Sequence, residues 1–278
     1  LSDGSFAKDE RKKEKCPARN FLFQSYHHAL IEDVNNYTEA CKNMRKVRVH
    51  KQTLDFLKAI AKNNDRDWFK DHRTEYEQAY GNMADFADAL IEDLNSHDKI
   101  STASGKKALF RVYRDVRFSK VKIPYTIWIS ASFKRSTALL RGSYYLRIQP
   151  NGNSVLGGGF WGPDKDDLQR IREQISADEE PLRKVLRSKA FKTNFGELKG
   201  ESLKTYPRGF DPEDPEIDLL RMRGFLVTKS FPDQEILSED FAKKVAAAFK
   251  AMRPLFNVMS LYLTTDLNGE PLKNIKES

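Results

Sequence analysis

The sequence predicts an α+β protein: an antiparallel sheet with helices packed on it, preceded by an N-terminal helical or extended arm. Three observations predict it. Apolar residues recur at helical spacing up to about residue 95 and again after Pro163. Between about residues 109 and 160 the pattern changes to alternation, and Asn151-Gly152, a dipeptide suited to a tight hairpin, separates two extended runs. Helices, then strands, then helices is the order of a segregated α+β architecture.

Residues 1–50 are expected to form an N-terminal extension, partly helical or partner-bound, and residues 51–278 the α+β domain. In the extension Leu30, Ile31, Val34, Tyr37 and Ala40 fall at helical spacing. In "KQTLDFLKAIAKN", Leu54, Leu57, Ile60 and Ala61 share one face until "NND" interrupts, and Arg66 to Asn95 continues with Trp68, Phe69, Tyr76, Phe86, Leu90 and Leu94. Two helices are expected there. "ALIEDVNN" at 29–36 and "ALIEDLNS" at 89–96 are two similar amphipathic helices, because no fixed period repeats.

The first expected strand is "LFRVYRDVRF", with Phe110, Val112, Val116 and Phe118 on a buried face and Arg114 falling on that same apolar side. "YTIWISASF" and the two runs of "SYYLRIQPNGNSVLGGGFW" supply the next three. "DKDDLQRIREQISAD" and "PLRKVLRSKAFKTNFG" are expected helices, the latter beginning at Pro181 and ending at Gly196. "EIDLLRMR" is a short helix, "GFLVTKSF" a strand, and a long terminal helix is expected to be interrupted near Pro254.

Composition bounds the function. A chain of 278 residues with 39% hydrophobic and 32% charged residues is globular with a heavily solvated surface. Two cysteines, Cys16 and Cys41, are too few for a disulfide framework, no apolar run has the length of a membrane helix, and the charged opening lacks a signal-peptide core. A cytoplasmic location is expected. Cys16, His27, His28 and Cys41 match no standard zinc spacing, so neither metal nor cofactor is expected. His72 and His97 are expected at the surface. Asp65 and Asp67 do not face each other on a helix, which favours capping by Asn64 or Asp65 over acid/base work.

The net charge of +8 is concentrated. Gly105 to Pro150 holds eleven Lys or Arg against one acid, Asp115, a net +10, while the remainder of the chain nets −2. Such a segment attracts nucleic acid, a phosphorylated ligand or an acidic protein surface. The expected anion-binding residues are Arg111, Arg117, Lys120, Lys122 and Tyr125, with Tyr113 and Tyr125 offering stacking faces. Arg114 and Asp115 are expected to form a structural ion pair system tying the sheet to a helix through Asp65, Asp67 or Asp71. The glycines of "LGGGFWGP" are expected to make room for a bulge or an aromatic ring, with Trp161 at the core or its rim.

Four stretches carry a family likeness: "NNDRDWFKDHRTEYEQA" (63–79), "FRVYRDVRFSKVKIPY" (110–125), "YYLRIQPNGNSVLGGGFWGP" (144–163) and "ELKGESLKTYPRGFDPEDPEIDLLRMRGFLV" (197–227). Together they resemble the DUF2461 family over about residues 53–270, a group without an established activity. Relatives commonly read close to "FSKDKTPYKTHF" where this chain has "FSKVKIPYTIWI"; Lys120, Lys122, Pro124 and Tyr125 are retained, while Val121, Ile123, Thr126 and Trp128 replace frequent polar residues. The sequence discloses no reaction. The leading expectation is a binding protein that engages an anionic partner through a basic sheet face. The alternatives are an enzyme acting on a small anionic substrate, with a cleft at Arg111, Arg117, Lys120 and Tyr125, or a structural subunit docked by residues 1–50 in a larger assembly.

Overall fold

A computed structural model describes residues 47–117, 120 and 122–272. The expected N-terminal arm, its helix and its role in assembly, together with Cys16, His27, His28 and Cys41, lie outside the described residues. The first helix, α1, spans Lys51–Lys62 and buries Leu54, Phe56, Leu57 and Ile60, as the apolar spacing requires. Asp65 caps α2 (Arg66–Asp71) by accepting a hydrogen bond from the Trp68 amide at 2.9 Å. The expected helix over Arg66 to Asn95 divides at His72, where the backbone leaves helical geometry before α3 (Arg73–Asn95). The short α4 (Gly105–Ala108) lies directly on the backbone of α3. A Cβ on Gly105 would come 1.9 Å from the Ala84 carbonyl oxygen, so only glycine permits this approach.

Four strands, β1 (Ile129–Lys134), β2 (Ser143–Ile148), β3 (Ser154–Phe160) and β4 (Phe225–Phe231), form one antiparallel sheet in the order β1-β2-β3-β4. The β2–β3 turn is the expected one: Asn151 and Gly152 have φ of 64° and 72°, and the Asp233 carboxylate accepts both their amides at 3.1 and 2.9 Å. Alternation gives the sheet two faces. One carries Ile129, Ala131, Phe133, Tyr144, Leu146, Ile148, Leu156, Phe160, Phe225 and Val227, all buried. The long C-terminal helix α10 (Phe241–Thr264) presses on this face, with Phe249 and Phe256 packed against Phe133, Tyr144 and Phe160.

Between β3 and β4 come α5 (Lys165–Ala177), capped by Asp164, α6 (Glu180–Arg187), α7 (Lys189–Phe195) and α8 (Ile217–Leu220). The single helix expected over 181–196 is two, because the Ser188 hydroxyl accepts the Phe191 amide at 3.2 Å and starts a new helix. After β4 follow α9 (Asp233–Ile236) and α10 (Phe241–Thr264), which runs unbroken through Pro254. Pro254 sits on the exposed side of α10, where water can serve the carbonyl it leaves without an intrahelical donor. No helix of the described residues is long and apolar enough to cross a membrane.

Arg114 is not buried; among the described residues Arg172 is, on the Leu220 and Met222 carbonyls, and so is Arg135, which meets a buried carboxylate. The Arg135 side chain is 1% exposed and that of its partner Asp98 3%, with Nε 2.9 Å from Oδ2. The remaining donors are also used: Nη1 reaches the Arg141 carbonyl and Ser260 Oγ at 3.1 and 3.2 Å, and Nη2 reaches Asn257 Oδ1 at 2.8 Å. Tyr144 donates to Asp98 at 2.6 Å, and burial holds its phenol well above the usual range. One polar network thus ties the loop after α3, the end of β1, the start of β2 and α10 together.

His97, expected at the surface, is also inside. Its side chain is 6% exposed, 3.5 Å from the equally buried Asp93 carboxylate.

Candidate functional site

The segment expected as a first strand is a ribbon rather than a ladder. Leu109 pairs with Ala131 and Tyr113 with Tyr125 as isolated antiparallel bridges. Four positions separate Leu109 from Tyr113 while six separate Tyr125 from Ala131, so the returning chain carries two extra residues. This bulge, held by the Thr126 hydroxyl on the Trp128 carbonyl at 3.0 Å, breaks the regular pairing and turns the ribbon out of the sheet. The expected burial pattern is therefore lost: Val112 is buried, but Phe110 is 53% exposed and Arg114 is exposed. Phe118 lies outside the described residues.

Two of the family-like stretches meet at this ribbon. Asn64 clamps its returning strand, donating from Nδ2 to the Tyr125 carbonyl at 3.0 Å and accepting the Tyr125 amide at 3.1 Å. Phe69 of α2 stacks on the Tyr125 ring with centroids 4.0 Å apart, and Arg73 of α3 donates to the Tyr113 hydroxyl at 3.3 Å. Tyr125 is consequently 5% exposed, which corrects its expected role as a stacking face for a ligand. Burial raises its phenol pKa, so the hydroxyl stays neutral. Tyr113 keeps the open position, at 49% exposed. Replacing Asn64 with alanine removes both clamping bonds and is expected to cost about 1–2 kcal/mol. Limited trypsin digestion checks this: cleavage between Arg111 and Lys122 should accelerate, and unchanged cleavage would show that the ribbon is held otherwise.

The basic residues divide into three groups. Arg117 is paired with Asp115, Nη2 to Oδ2 at 2.7 Å, and this pairing with the neighbouring Arg117 amide holds the Asp115 carboxyl below its usual range. The ion pair at this point is thus Asp115–Arg117. The expected link from Arg114 to a helix carboxylate does not form, because the outward turn of the ribbon leaves the guanidinium in solvent and removes its need for a buried partner. Arg135 and Arg141 also meet carboxylates, Asp98 and Asp167. Lys122 and Arg147 satisfy donors on carbonyls: Lys122 Nζ closes the ribbon tip on Val116 and Arg117 at 2.9 and 3.3 Å, and Arg147 Nη2 reaches the Asn153 carbonyl at 3.3 Å. The third group, Lys106, Lys107, Arg111, Arg114, Lys120 and Lys134, is exposed and has no carboxylate within ion-pair distance among the described residues.

The ribbon borders the second face of the sheet, opposite α10. Tyr145 on β2 stands between Ser132 on β1 and Gly157 on β3, with Thr228 next in the row. Its lateral neighbours are small, and Phe110 approaches its ring edge-on with centroids 6.3 Å apart. Two positions along β2, the Arg147 guanidinium lies 5.7 Å over the Trp128 ring. Tyr145, Arg147 and Trp128 are each half-buried.

The glycine run has the steric role expected of it. Gly158 faces α10, where a Cβ would come 2.3 Å from Met252 Sδ, and Gly159, at φ +128°, lies where a Cβ would come 2.1 Å from the Phe225 carbonyl oxygen. Trp161, just past β3, is 85% exposed and belongs neither to the core nor to its rim.

A cleft of about 510 Å3 lies elsewhere, between α6, α7 and α8, with Leu186, Phe191, Leu198, Leu219 and Met222 as its apolar lining. None of Arg111, Arg117, Lys120 or Tyr125 borders it. His72 stacks on Trp68 with centroids 4.0 Å apart, its Nδ1 donates to the Trp68 carbonyl at 2.8 Å, and its Nε2 lies 4.0 Å from the Glu75 carboxylate. Among the described residues no group of three or more His, Cys, Asp or Glu is placed to hold a metal ion.

These features define an α+β protein whose helices cover one face of a four-stranded antiparallel sheet, while a basic ribbon edges the half-exposed other face. The family model described as a conserved hypothetical protein (DUF2461) matches residues 52–257, and the chain belongs to that family. Neither a curated protein nor a solved structure matches the chain.

Proposed function

We propose that the protein binds an anionic partner through the ribbon and the sheet face beside it. The observation that carries this reading is the shortage of internal counter-ions. Of the eleven cations in Gly105 to Pro150, Arg117, Arg135 and Arg141 meet a carboxylate within ion-pair distance among the described residues. Arg111, Arg114 and Lys120 stand exposed on the ribbon and Lys134 at the end of β1. Uncompensated cations on a low-dielectric surface attract polyanions from a distance and hold them by releasing condensed counter-ions. The enzyme alternative calls for a cleft at these residues, and the cleft described above lies away from them.

The test is binding to a fluorescent single-stranded oligonucleotide and to inorganic polyphosphate as salt is varied. With four phosphates neutralised by Arg111, Arg114, Lys120 and Lys134, affinity for a single strand should fall about 50-fold between roughly 50 and 200 mM salt. Binding that ignores salt, or no binding to either polyanion at low salt, would overturn the reading.

A further inference from the structure

We infer that the sheet face opposite α10 is a stacking surface for single-stranded nucleic acid, a partner more specific than a polyanion. The inference rests on the proposed function, because the surrounding cations supply the affinity for phosphate. What it adds comes from the aromatic residues of the face and their neighbours.

Three aromatic side chains share this surface: Phe110, 53% exposed at the ribbon, Tyr145 in the centre of β2 and Trp128 at the entrance to β1. An aromatic ring on a sheet serves as a platform only if its neighbours are low. Here they are, since Ser132 and Gly157 flank Tyr145 across the strands and Ser143 precedes it on the same face. The Arg147 guanidinium lies 5.7 Å from the centroid of the Trp128 ring, a cation over an aromatic face. Cations border the aromatic patch, Arg147 over Trp128 and the exposed Lys134 two positions beyond Ser132 on β1. Rings in the middle with cations at the border match a chain whose bases lie on the sheet and whose phosphates run along its rim. A duplex keeps its base faces covered and cannot use the rings.

Substitution of Phe110 separates stacking from charge. Its ring is largely in solvent, and Phe110→Leu retains apolar bulk without a π face. The wild-type protein, F110L and F110Y are titrated with a single-stranded DNA 15-mer, the RNA of the same sequence, the corresponding duplex and inorganic polyphosphate. Loss of one stacked base is expected to weaken F110L binding to the single strands about tenfold. F110Y should bind as the wild type does, and polyphosphate affinity should be equal for all three proteins. The DNA and RNA arms show which strand is preferred, and either preference agrees with the inference.

If F110L binds the single strands as tightly as wild type, or if the duplex is preferred, the stacking surface is refuted while anion capture stands. If polyphosphate and oligonucleotides alike fail to bind, the proposed function itself falls. Thermal melting of F110L checks its folding. Should F110L melt early, Tyr145→Leu gives the same readout from the neighbouring platform.

Discussion

Replacing Asp98 with alanine is expected to destabilise the protein by about 3–5 kcal/mol, because it strands a guanidinium that cannot discard its charge. Arg135 is sealed among Asp98, Ser260, Asn257 and the Arg141 carbonyl, with Phe256 5.9 Å away. Loss of the carboxylate also removes the acceptor of the Tyr144 hydroxyl, which is fully buried. Most of the expected cost is the penalty of the unpaired charge, not the intrinsic worth of the pair. The double variant D98A/R135M should therefore recover a large part of it. Urea denaturation of the two variants decides the matter. A loss below about 1 kcal/mol for D98A would mean that water reaches the network, contrary to the described packing.

Gly159→Ala carries the second large effect, expected at about 2–5 kcal/mol. Two costs coincide at this position. The backbone has φ +128°, which a side chain resists, and the new Cβ would meet the Phe225 carbonyl oxygen at 2.1 Å. That oxygen belongs to the paired strand β4, so relief requires opening the β3–β4 ladder at Phe160 and Phe225. Gly152→Ala is the natural control, with φ +72° and nothing within 4 Å of the added carbon. It should cost about 1 kcal/mol, from backbone strain alone. Equal losses in the two variants, measured by thermal unfolding, would show that strain and not the β4 contact sets the effect at Gly159.

Periodicity located most of the helices and β1 to β4, because burial of one face imposes 3.6-residue or two-residue spacing on the chain. Asn151-Gly152 announced its turn since few other pairs take positive φ twice. The ribbon has the sequence pattern of a strand for an identifiable reason. Its alternation is genuine, but the two extra residues that disrupt the pairing lie on the partner segment near Trp128, not in the stretch being read. Arg114 and Arg135 illustrate the same limit: one falls on an apolar pattern and ends in solvent, while the other, beside an unremarkable lysine, is the charge at the centre of the fold.

The candidate surface was legible as charge and illegible as shape. Clustering of cations could be counted along the chain, yet which of them find carboxylates depends on contacts such as Arg135–Asp98 across 37 positions. Tyr145 is a platform only because register sets Ser132 and Gly157 beside it. Single-sequence reading has no access to register across strands. Tyr125, by contrast, carried an apolar signature in its neighbours Ile123 and Pro124 that agrees with its burial on Phe69.

The central claim is that exposed, uncompensated cations capture the partner. Its most direct measurement compares the wild-type protein with the triple variant R111Q/R114Q/K120Q, titrating a single-stranded oligonucleotide over a range of salt concentrations. None of the three side chains has a carboxylate within ion-pair distance among the described residues, so the variant should melt as the wild type does. The plot of log affinity against log salt should lose about two from its slope, the share of three phosphate contacts on a single strand. An unchanged slope in a folded variant would contradict the account.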